Sequence, residues 1–128
     1  MIKTFKDLTV YQKAFEQAMR LFEVTKRFPK AEQFSLTDQI RRSSRSVCTN
    51  ISEAWRKRRY QAHFVSKLTD ADAEATETIV WLDFCLGCEY IDSAVHVQFL
   101  GEYEQIGKML GAMIATPEKF CHEAKKSR

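Results

Sequence analysis

The length, composition and charge of the chain exclude several classes of protein. Its 128 residues are the length of one ordinary domain, and 45% are hydrophobic while 29% are charged, which is typical of a globular protein. Only 4 glycines and 2 prolines occur, too few turn-formers for a sandwich or barrel of short strands. No run of about 18 apolar residues and no signal-peptide core is present, so we expect a cytoplasmic protein without a membrane partner.

Four apolar periodicities predict four helices in a single domain spanning residues 1–128. They cover about 9–26, 35–55, 62–89 and 93–116. Thr9 with Gln12 has the form of a capping box at the first helix, and Pro117 stops the fourth. Short connections make neighbouring helices antiparallel, so the pattern predicts an all-α, antiparallel up-down four-helix bundle. The charged tail, residues 118–128, is expected to fray.

Two features of the third and fourth helices bear on packing. Asp72 lies on the apolar stripe of the third helix, and a buried acid must be paired or protonated. We expect it to meet Arg42 or Arg45 of the second helix, within one chain or between chains. Gly107 and Gly111 are four residues apart on the fourth helix, a spacing that predicts close helix approach.

Charge is distributed unevenly along the chain, although its net value is only +3. Between Gln39 and Tyr60 there are seven basic residues and one acid, a balance of +6. Between Thr69 and Asp92 there are seven acids and no lysine or arginine, a balance of −7. This segregation indicates either complementary pairing of surfaces or an anionic partner for the basic segment. Pairing between copies would be head-to-tail, which closes into a ring when the rotation permits.

The strongest candidate for binding is a run of four cations bordered by aromatic residues. The run is Arg56, Lys57, Arg58 and Arg59, with Trp55 before it and Tyr60, His63 and Phe64 after it. Such cations displace counterions from a phosphate backbone, and the rings can stack on exposed bases. Arg41 and Arg45, further up the same helix, belong to this hypothesis. The alternative is a solvated helix end whose cations face the C-terminal dipole.

A polar stripe also runs along the second helix. Its members recur at three- and four-residue steps and lie within about 80° of one another: Gln39, Arg42, Ser46, Asn50 and Glu53. The stripe is either a solvated face or a polar network at a subunit interface that fixes the register of identical chains. Catalytic use is disfavoured, because neither a histidine nor an activated nucleophile lies on it.

Enzymatic and metal chemistry have little support in the sequence. Cys85 and Cys88 form a CxxC inside an apolar helical pattern, where cysteine behaves as a small hydrophobe. A structural zinc site needs four converging ligands, and Cys121 with His122 is not a matching pair. Triad spacing, Glu-x-x-His elements and a Gly-rich phosphate loop are lacking. We therefore expect no catalytic residue, no metal and no cofactor.

An ordered series of residues resembles a known family. It comprises Phe28-Pro29-Lys30-Ala31-Glu32, Leu36, QIRRSSRSV at 39–47 and Asn50-Ile51-Ser52-Glu53-Ala54, with Phe5, Leu8, Val10, Lys13 and Ala14 before it. These residues resemble the 23S rRNA intervening sequence proteins. The chain departs from that pattern at Ala54, where the family commonly has glycine, and at Asp72-Ala73, where it commonly has Gly-Ser.

The resemblance implies a four-helix bundle that assembles into rings, often of five subunits, with an unsettled biochemical role. The family is similar to the accessory protein of diversity-generating retroelements, a basic pentamer that binds nucleic acid and a reverse transcriptase. We therefore expect a homopentamer with RNA or DNA, and a partner protein, as candidate ligands. Two functions follow: a non-enzymatic accessory or scaffold that contacts nucleic acid through the basic stretch, or a purely structural assembly module.

Overall fold

Each of the four predicted helices forms in the computed structural model, which describes residues 1–121. They are α1 (Thr9–Thr25), α2 (Leu36–Arg56), α3 (Gln61–Gly87) and α4 (Ser93–Ala115). Consecutive helices pack against each other, and α4 returns to α1, so the predicted all-α four-helix bundle is confirmed. None of the helices within residues 1–121 is both long and apolar enough to cross a membrane.

The start of α1 differs from the prediction. Leu8 precedes the helix and supplies no side-chain cap, so the capping box of Thr9 and Gln12 is wrong. A capping box stands one short element earlier, where Thr4 and Asp7 cap the 3-10 turn Phe5–Asp7. Gln12 instead donates from Nε2 to a carbonyl of that turn at 2.9 Å. The amide is therefore used to hold the N-terminal turn against α1.

The core is built from side chains that all four helices turn inward. Its largest fully buried members include Leu21, Ile40, Ile51, Phe64, Leu68, Leu82, Phe99, Tyr103, Ile106 and Leu110. The chain beyond α4 contributes as well, because the ring of Phe120 stacks on that of Phe64 with 6.1 Å between centroids. Pro117–Lys119 forms a 3-10 turn, and the rest of the tail expected to fray, residues 122–128, lies outside the described residues.

Two contacts set the antiparallel register of α2 and α3. The hydroxyl oxygens of Ser43 and Thr78 lie 2.8 Å apart in the buried interior. Nearer the other end of the pair, Lys67 Nζ lies 2.8 Å from a carboxylate oxygen of Glu53. The later part of α2 therefore faces the earlier part of α3, and the α2–α3 turn forms one end of the bundle.

Asp72, Gly107 and Gly111 are not placed as the sequence predicted. Asp72 Oδ1 lies 3.6 Å from where a Cβ of Gly107 would stand, so this half-buried acid faces α4. Its predicted pairing with Arg42 or Arg45 within one chain is wrong, because Arg42 is exposed and the guanidinium of Arg45 lies 5.9 Å from the ring centroid of Phe22 in α1. A Cβ added at exposed Gly111 would meet no neighbouring segment within 4 Å, and one at Gly107 would make only an ordinary contact with a side chain, so the predicted close helix approach is not seen at either glycine.

Candidate nucleic-acid interface

The run of four cations lies at the end of the bundle where the chain passes from α2 to α3. Because α2 ends at Arg56, the residues Lys57–Tyr60 form a turn and do not continue the helix. The Tyr60 N–H closes this turn by donating to the Lys57 carbonyl at 3.0 Å. The basic stretch predicted on the second helix is thus a helix terminus followed by a turn.

Arg58 is set apart from its three neighbours because it folds back onto Trp55. Its Nε donates to the Trp55 carbonyl at 2.8 Å, and its guanidinium carbon stands 3.6 Å from the centroid of the indole ring. Partial burial lowers the pKa of Arg58 from its ordinary value. A guanidinium held this way contributes to the packing of the turn, so it is a poor candidate for contact with a ligand.

The other three cations project into solvent. Arg56, Lys57 and Arg59 are exposed, and none of them forms an ion pair with another residue in the described range 1–121. The guanidinium of Arg59 lies 5.8 Å from the ring centroid of Tyr60, which in turn is 5.3 Å from that of His63. We call these five residues the basic tip. It combines three available charges with an exposed pair of rings.

Two aromatic residues bordering the run belong to the core. Phe64 is fully buried, and Trp55 exposes only 6% of its surface. By contrast, Tyr60 exposes 56% of its surface and His63 is exposed beside it. Of the four rings that the sequence places near the cations, only Tyr60 and His63 are therefore accessible to a ligand.

The structure does not bring Arg41 and Arg45 to the basic tip. Arg41 Nε donates to Thr25 Oγ1 at 2.8 Å, and its guanidinium carbon lies 4.7 Å from the ring centroid of Phe22. At 1.5 Å per residue these arginines stand about 22 and 16 Å along the helix axis from Arg56. Arg41 therefore joins α2 to α1 and is not part of the basic tip. Arg45 is exposed but remote.

The predicted polar stripe lies at the surface beside α3. Asn50 donates from Nδ2 to the carbonyl and hydroxyl oxygens of Ser46, at 2.9 and 3.1 Å. Glu53 is bound by the lysine of α3 described above. Gln39 and Arg42 are exposed. The second half of the stripe is therefore satisfied within the chain, while its first half is open to solvent.

The acidic segment does not form one surface. Asp83 Oδ1 lies 2.9 Å from His96 Nε2, which links α3 to α4. Asp70, Glu74 and Glu77 share another face of α3, at the level of the polar stripe of α2. Burial, and then the charges of Glu77 and Asp70, raise the pKa of Glu74. The concentrated acidic face is therefore these three residues, fewer than the seven acids of the segment.

An open groove begins beside the basic tip, at the residue that follows Tyr60. Its volume is about 630 Å³. It is lined by Gln61, Ala62, Val65, Ser66, Thr69 and Pro117. These side chains are small or uncharged, and three of them offer amide or hydroxyl groups for hydrogen bonding. The groove thus extends along the first turns of α3 without a charged side chain in its lining.

Comparison with known proteins places the bundle in a family. The model of the 23S rRNA-intervening sequence protein family matches residues 6–112. The chain belongs to this family. A similar solved structure is the crystal structure of a protein with unknown function from the S23 ribosomal protein family of Bacteroides thetaiotaomicron. It is 33% identical, has a TM-score of 0.77, and the match covers 87% of this chain and 99% of that one. No curated protein matches the chain.

Membership of the 23S rRNA-intervening sequence protein family confirms the resemblance seen in the sequence but assigns no activity. The solved relative is itself described as having unknown function. Within residues 1–121, no three His, Cys, Asp or Glu side chains group as metal ligands, while His122 lies outside the described residues. Burial raises the pKa of the Cys85 thiol to about 12 and that of Cys48 to about 11, which disfavours the reactive thiolate at both.

The sequence did not predict that Arg58 packs on Trp55 while Arg56, Lys57 and Arg59 stay exposed. The run gave no reason to separate Arg58 from Arg59, because Arg58 is three positions from Trp55 and Arg59 is next to Tyr60. The signal that was present is the three-residue step from Tyr60 to His63 at the start of a helix, which places two side chains on one face. That step predicts the exposed ring pair.

Proposed function

We propose that this family member is a non-enzymatic, homo-oligomeric bundle that acts as an accessory or scaffold protein and contacts nucleic acid through its basic tip. The observation that carries the proposal is the state of Arg56, Lys57 and Arg59. They are exposed, lie within four positions of one another, and have no carboxylate partner within residues 1–121. The nearest acid along α2, Glu53, is paired with Lys67.

Helix-dipole stabilisation explains only some of this arrangement. A cation in the last turn of a helix gains from the dipole, and Arg56 occupies that position. Arg59 lies beyond the helix end and gains little, because the effect is confined to the last turn. Three phosphates neutralised by the tip would release counterions, giving a slope of about −2 for log K against log salt on a single strand.

Large apolar side chains at the surface support the homo-oligomeric element of the proposal. On the helices, Val97 exposes 66% of its surface, and Phe15, Met19 and Phe84 are about half exposed. Contiguous exposed apolar groups mark interaction surfaces, and Phe15 and Met19, four residues apart on α1, are neighbours on its surface. The resemblance stated above favours five subunits. A ring repeats the basic tip in every subunit, so weak single contacts combine through avidity.

A second candidate is an assembly module without nucleic-acid binding. The acidic face of Asp70, Glu74 and Glu77 favours it, because this face is complementary in charge to the basic tip. The raised pKa of Glu74 reflects burial and repulsion among these acids, and a cation from another copy would relieve the repulsion. In this alternative the tip of one subunit binds the acidic face of the next.

The experiment compares two variants with the same change in charge. One replaces Arg56, Lys57 and Arg59 with glutamine. The other makes the same replacement at Lys26, Arg27 and Lys30, which are exposed at the opposite end of the bundle. Anisotropy titrations with a labelled RNA are run at about 50 and 200 mM salt, a range over which we expect wild-type affinity to fall roughly 20-fold for one engaged tip. The tip variant should bind weakly at both salt concentrations, and the opposite-end variant should behave as wild type.

Circular dichroism and light scattering accompany each titration. Equal binding by the tip variant and the opposite-end variant contradicts the nucleic-acid interface. If wild type binds no RNA at low salt and the tip variant loses oligomer mass, the assembly module is the correct function. A helical spectrum in both variants shows that the fold is retained.

A further inference from the structure

We infer that the basic tip takes single-stranded nucleic acid in preference to duplex, by stacking an unpaired base on the Tyr60–His63 ring pair. The inference rests on the proposed function and names the class of ligand for the same site. It is carried by the exposure and arrangement of two rings that the bundle does not need for its core.

The ring pair is held at the surface by the start of α3. Tyr60 is the N-cap residue of α3 in an extended conformation, with φ −119° and ψ 109°. Its ring centroid is 5.3 Å from that of His63, with 52° between the planes. The backbone N–H of Tyr60 is tied into the turn, so the ring has a fixed point of attachment. A base, which offers a flat π face, can stack on the open side.

The cations stand where the backbone of a stacked nucleotide would run. Arg59 lies 5.8 Å from the Tyr60 ring centroid, and Arg56 and Lys57 precede it in the turn. Exposed rings flanked by cations are the combination by which proteins hold single strands without strong sequence preference. The tip therefore contains both elements of such a site within a few residues.

A duplex fits the same surface poorly. Its bases are already stacked on one another, so the ring pair has no free base face to contact unless a pair is opened, which costs free energy. A duplex also presents phosphates over a long rigid surface. Of the two other arginines that the sequence assigned to the site, Arg41 is bound to α1 and Arg45 stands about 16 Å away along α2.

The groove beside Tyr60 gives the strand a path away from the tip. It starts at Gln61 and includes the hydroxyl groups of Ser66 and Thr69. Uncharged donors and acceptors of this kind can contact the Watson–Crick base edges that a single strand exposes and a duplex conceals. The six lining residues of the groove carry no charge, and Asp70 follows Thr69 at the far end.

The test uses the full chain and three labelled probes of equal length: oligo-uridine RNA, oligo-thymidine DNA and a blunt RNA duplex. The variants are Tyr60→Ala, Tyr60→Phe and His63→Ala, and the matched control is Phe34→Ala, which removes an exposed ring at the opposite end. We expect wild type to bind both single strands at least about tenfold more tightly than the duplex. Tyr60→Ala should lose roughly tenfold on single strands and little on the duplex. Tyr60→Phe and Phe34→Ala should retain wild-type affinity.

A 2-aminopurine base in the single strand reports stacking directly. Its fluorescence should fall on binding to wild type and to Tyr60→Phe but not on binding to Tyr60→Ala. The inference is overturned if wild type binds strand and duplex with equal affinity and Tyr60→Ala binds as wild type does. The proposed function still stands in that case if binding requires the three tip cations. Failure of every probe to bind overturns both. A preference between the RNA and DNA strands identifies which of them the basic tip binds. If Tyr60→Ala fails to fold, the affinity of His63→Ala for single strands tests the stacking instead.

Discussion

The side-chain oxygens of Ser43 and Thr78 lie 2.8 Å apart at the buried centre of the contact between α2 and α3. Ser43 exposes 2% of its surface and Thr78 exposes none. Thr78 Oγ1 is also placed to donate to the Glu74 carbonyl at 2.9 Å. A hydroxyl pair inside an apolar contact penalises any shift between the helices, because the bond that joins the helices would be lost in a place away from water. The pair therefore specifies the register of the most extensive contact in the bundle.

We expect Thr78→Val to destabilise the protein by about 1 kcal/mol, because it keeps the shape of the side chain but leaves the Ser43 hydroxyl with only a long bond of 3.4 Å to the Ile40 carbonyl. The double variant Ser43→Ala with Thr78→Val should lose less free energy of unfolding than the sum of the two single variants, since no unpaired hydroxyl remains. Urea denaturation measures the three free energies of unfolding. Simple additivity would show that the two hydroxyls do not depend on each other.

A second polar cluster holds the start of α2 against the loop before α4. Glu32 accepts hydrogen bonds from Ser35 Oγ at 2.6 Å, the Leu36 N–H at 3.2 Å and the Tyr90 hydroxyl at 2.8 Å. The bonds from Ser35, and then from Tyr90 and Leu36, lower the pKa of Glu32. A carboxyl with a lowered pKa stabilises the folded state above its ordinary pKa of 4.5, and this stabilisation is lost as the pH falls through the lowered value.

Glu32→Gln should therefore be less stable than wild type at neutral pH, and the gap should narrow as the pH is lowered below about 4.5. Urea denaturation at about pH 7, 4 and 3 measures this difference in the free energy of unfolding. The hydrogen bond between Glu32 and the Tyr90 hydroxyl raises the pKa of Tyr90 to about 12. In Glu32→Gln the Tyr90 phenol should titrate at lower pH, as followed by the NMR signal of its ring. A gap that is independent of pH would contradict the role given to the Glu32 carboxylate.

The neighbouring residues Arg58 and Arg59 should respond differently to the same replacement. We expect Arg58→Gln to lower the free energy of unfolding by about 1 kcal/mol, since it removes a partly buried guanidinium from the Trp55 ring. Arg59→Gln changes an exposed side chain and should leave stability within about 0.5 kcal/mol of wild type. In RNA titrations the order should reverse, and Arg59→Gln should lose more affinity than Arg58→Gln. Equal losses of affinity would mean that Arg58 leaves the Trp55 ring to contact the ligand.

How far the sequence predicts the structure differs between the helices and the tip. Helix periodicity is repeated over many residues, so the apolar stripe of α2 predicts a helix even when one position is misread. A single side chain has no such redundancy. Thr4 with Asp7 and Thr9 with Gln12 both have capping spacing, and only the backbone at Leu8 decides which pair forms a cap.

The same limit applies to the cations of the tip. Whether Arg58 or Arg59 folds onto a ring depends on where α2 ends, and a boundary error of one residue reverses the assignment. The partners of Arg41 are likewise not evident from the sequence, because Phe22 and Thr25 come from another helix. Contacts between distant segments of the chain leave no spacing signal in the sequence.

The open half of the polar stripe tests assembly. If the stripe joins subunits, replacing both Gln39 and Arg42 with alanine should weaken the oligomer without unfolding the chain, because both residues are exposed. The matched control replaces Gln105 and Lys108, an exposed amide and cation on α4. Light scattering over a micromolar dilution series should give a mass near five chains for wild type and for the control, and a lower mass for the α2 variant. A monomer mass for wild type would contradict homo-oligomerisation itself. A wild-type mass for both variants would mean that the stripe is solvated and that the subunits meet elsewhere.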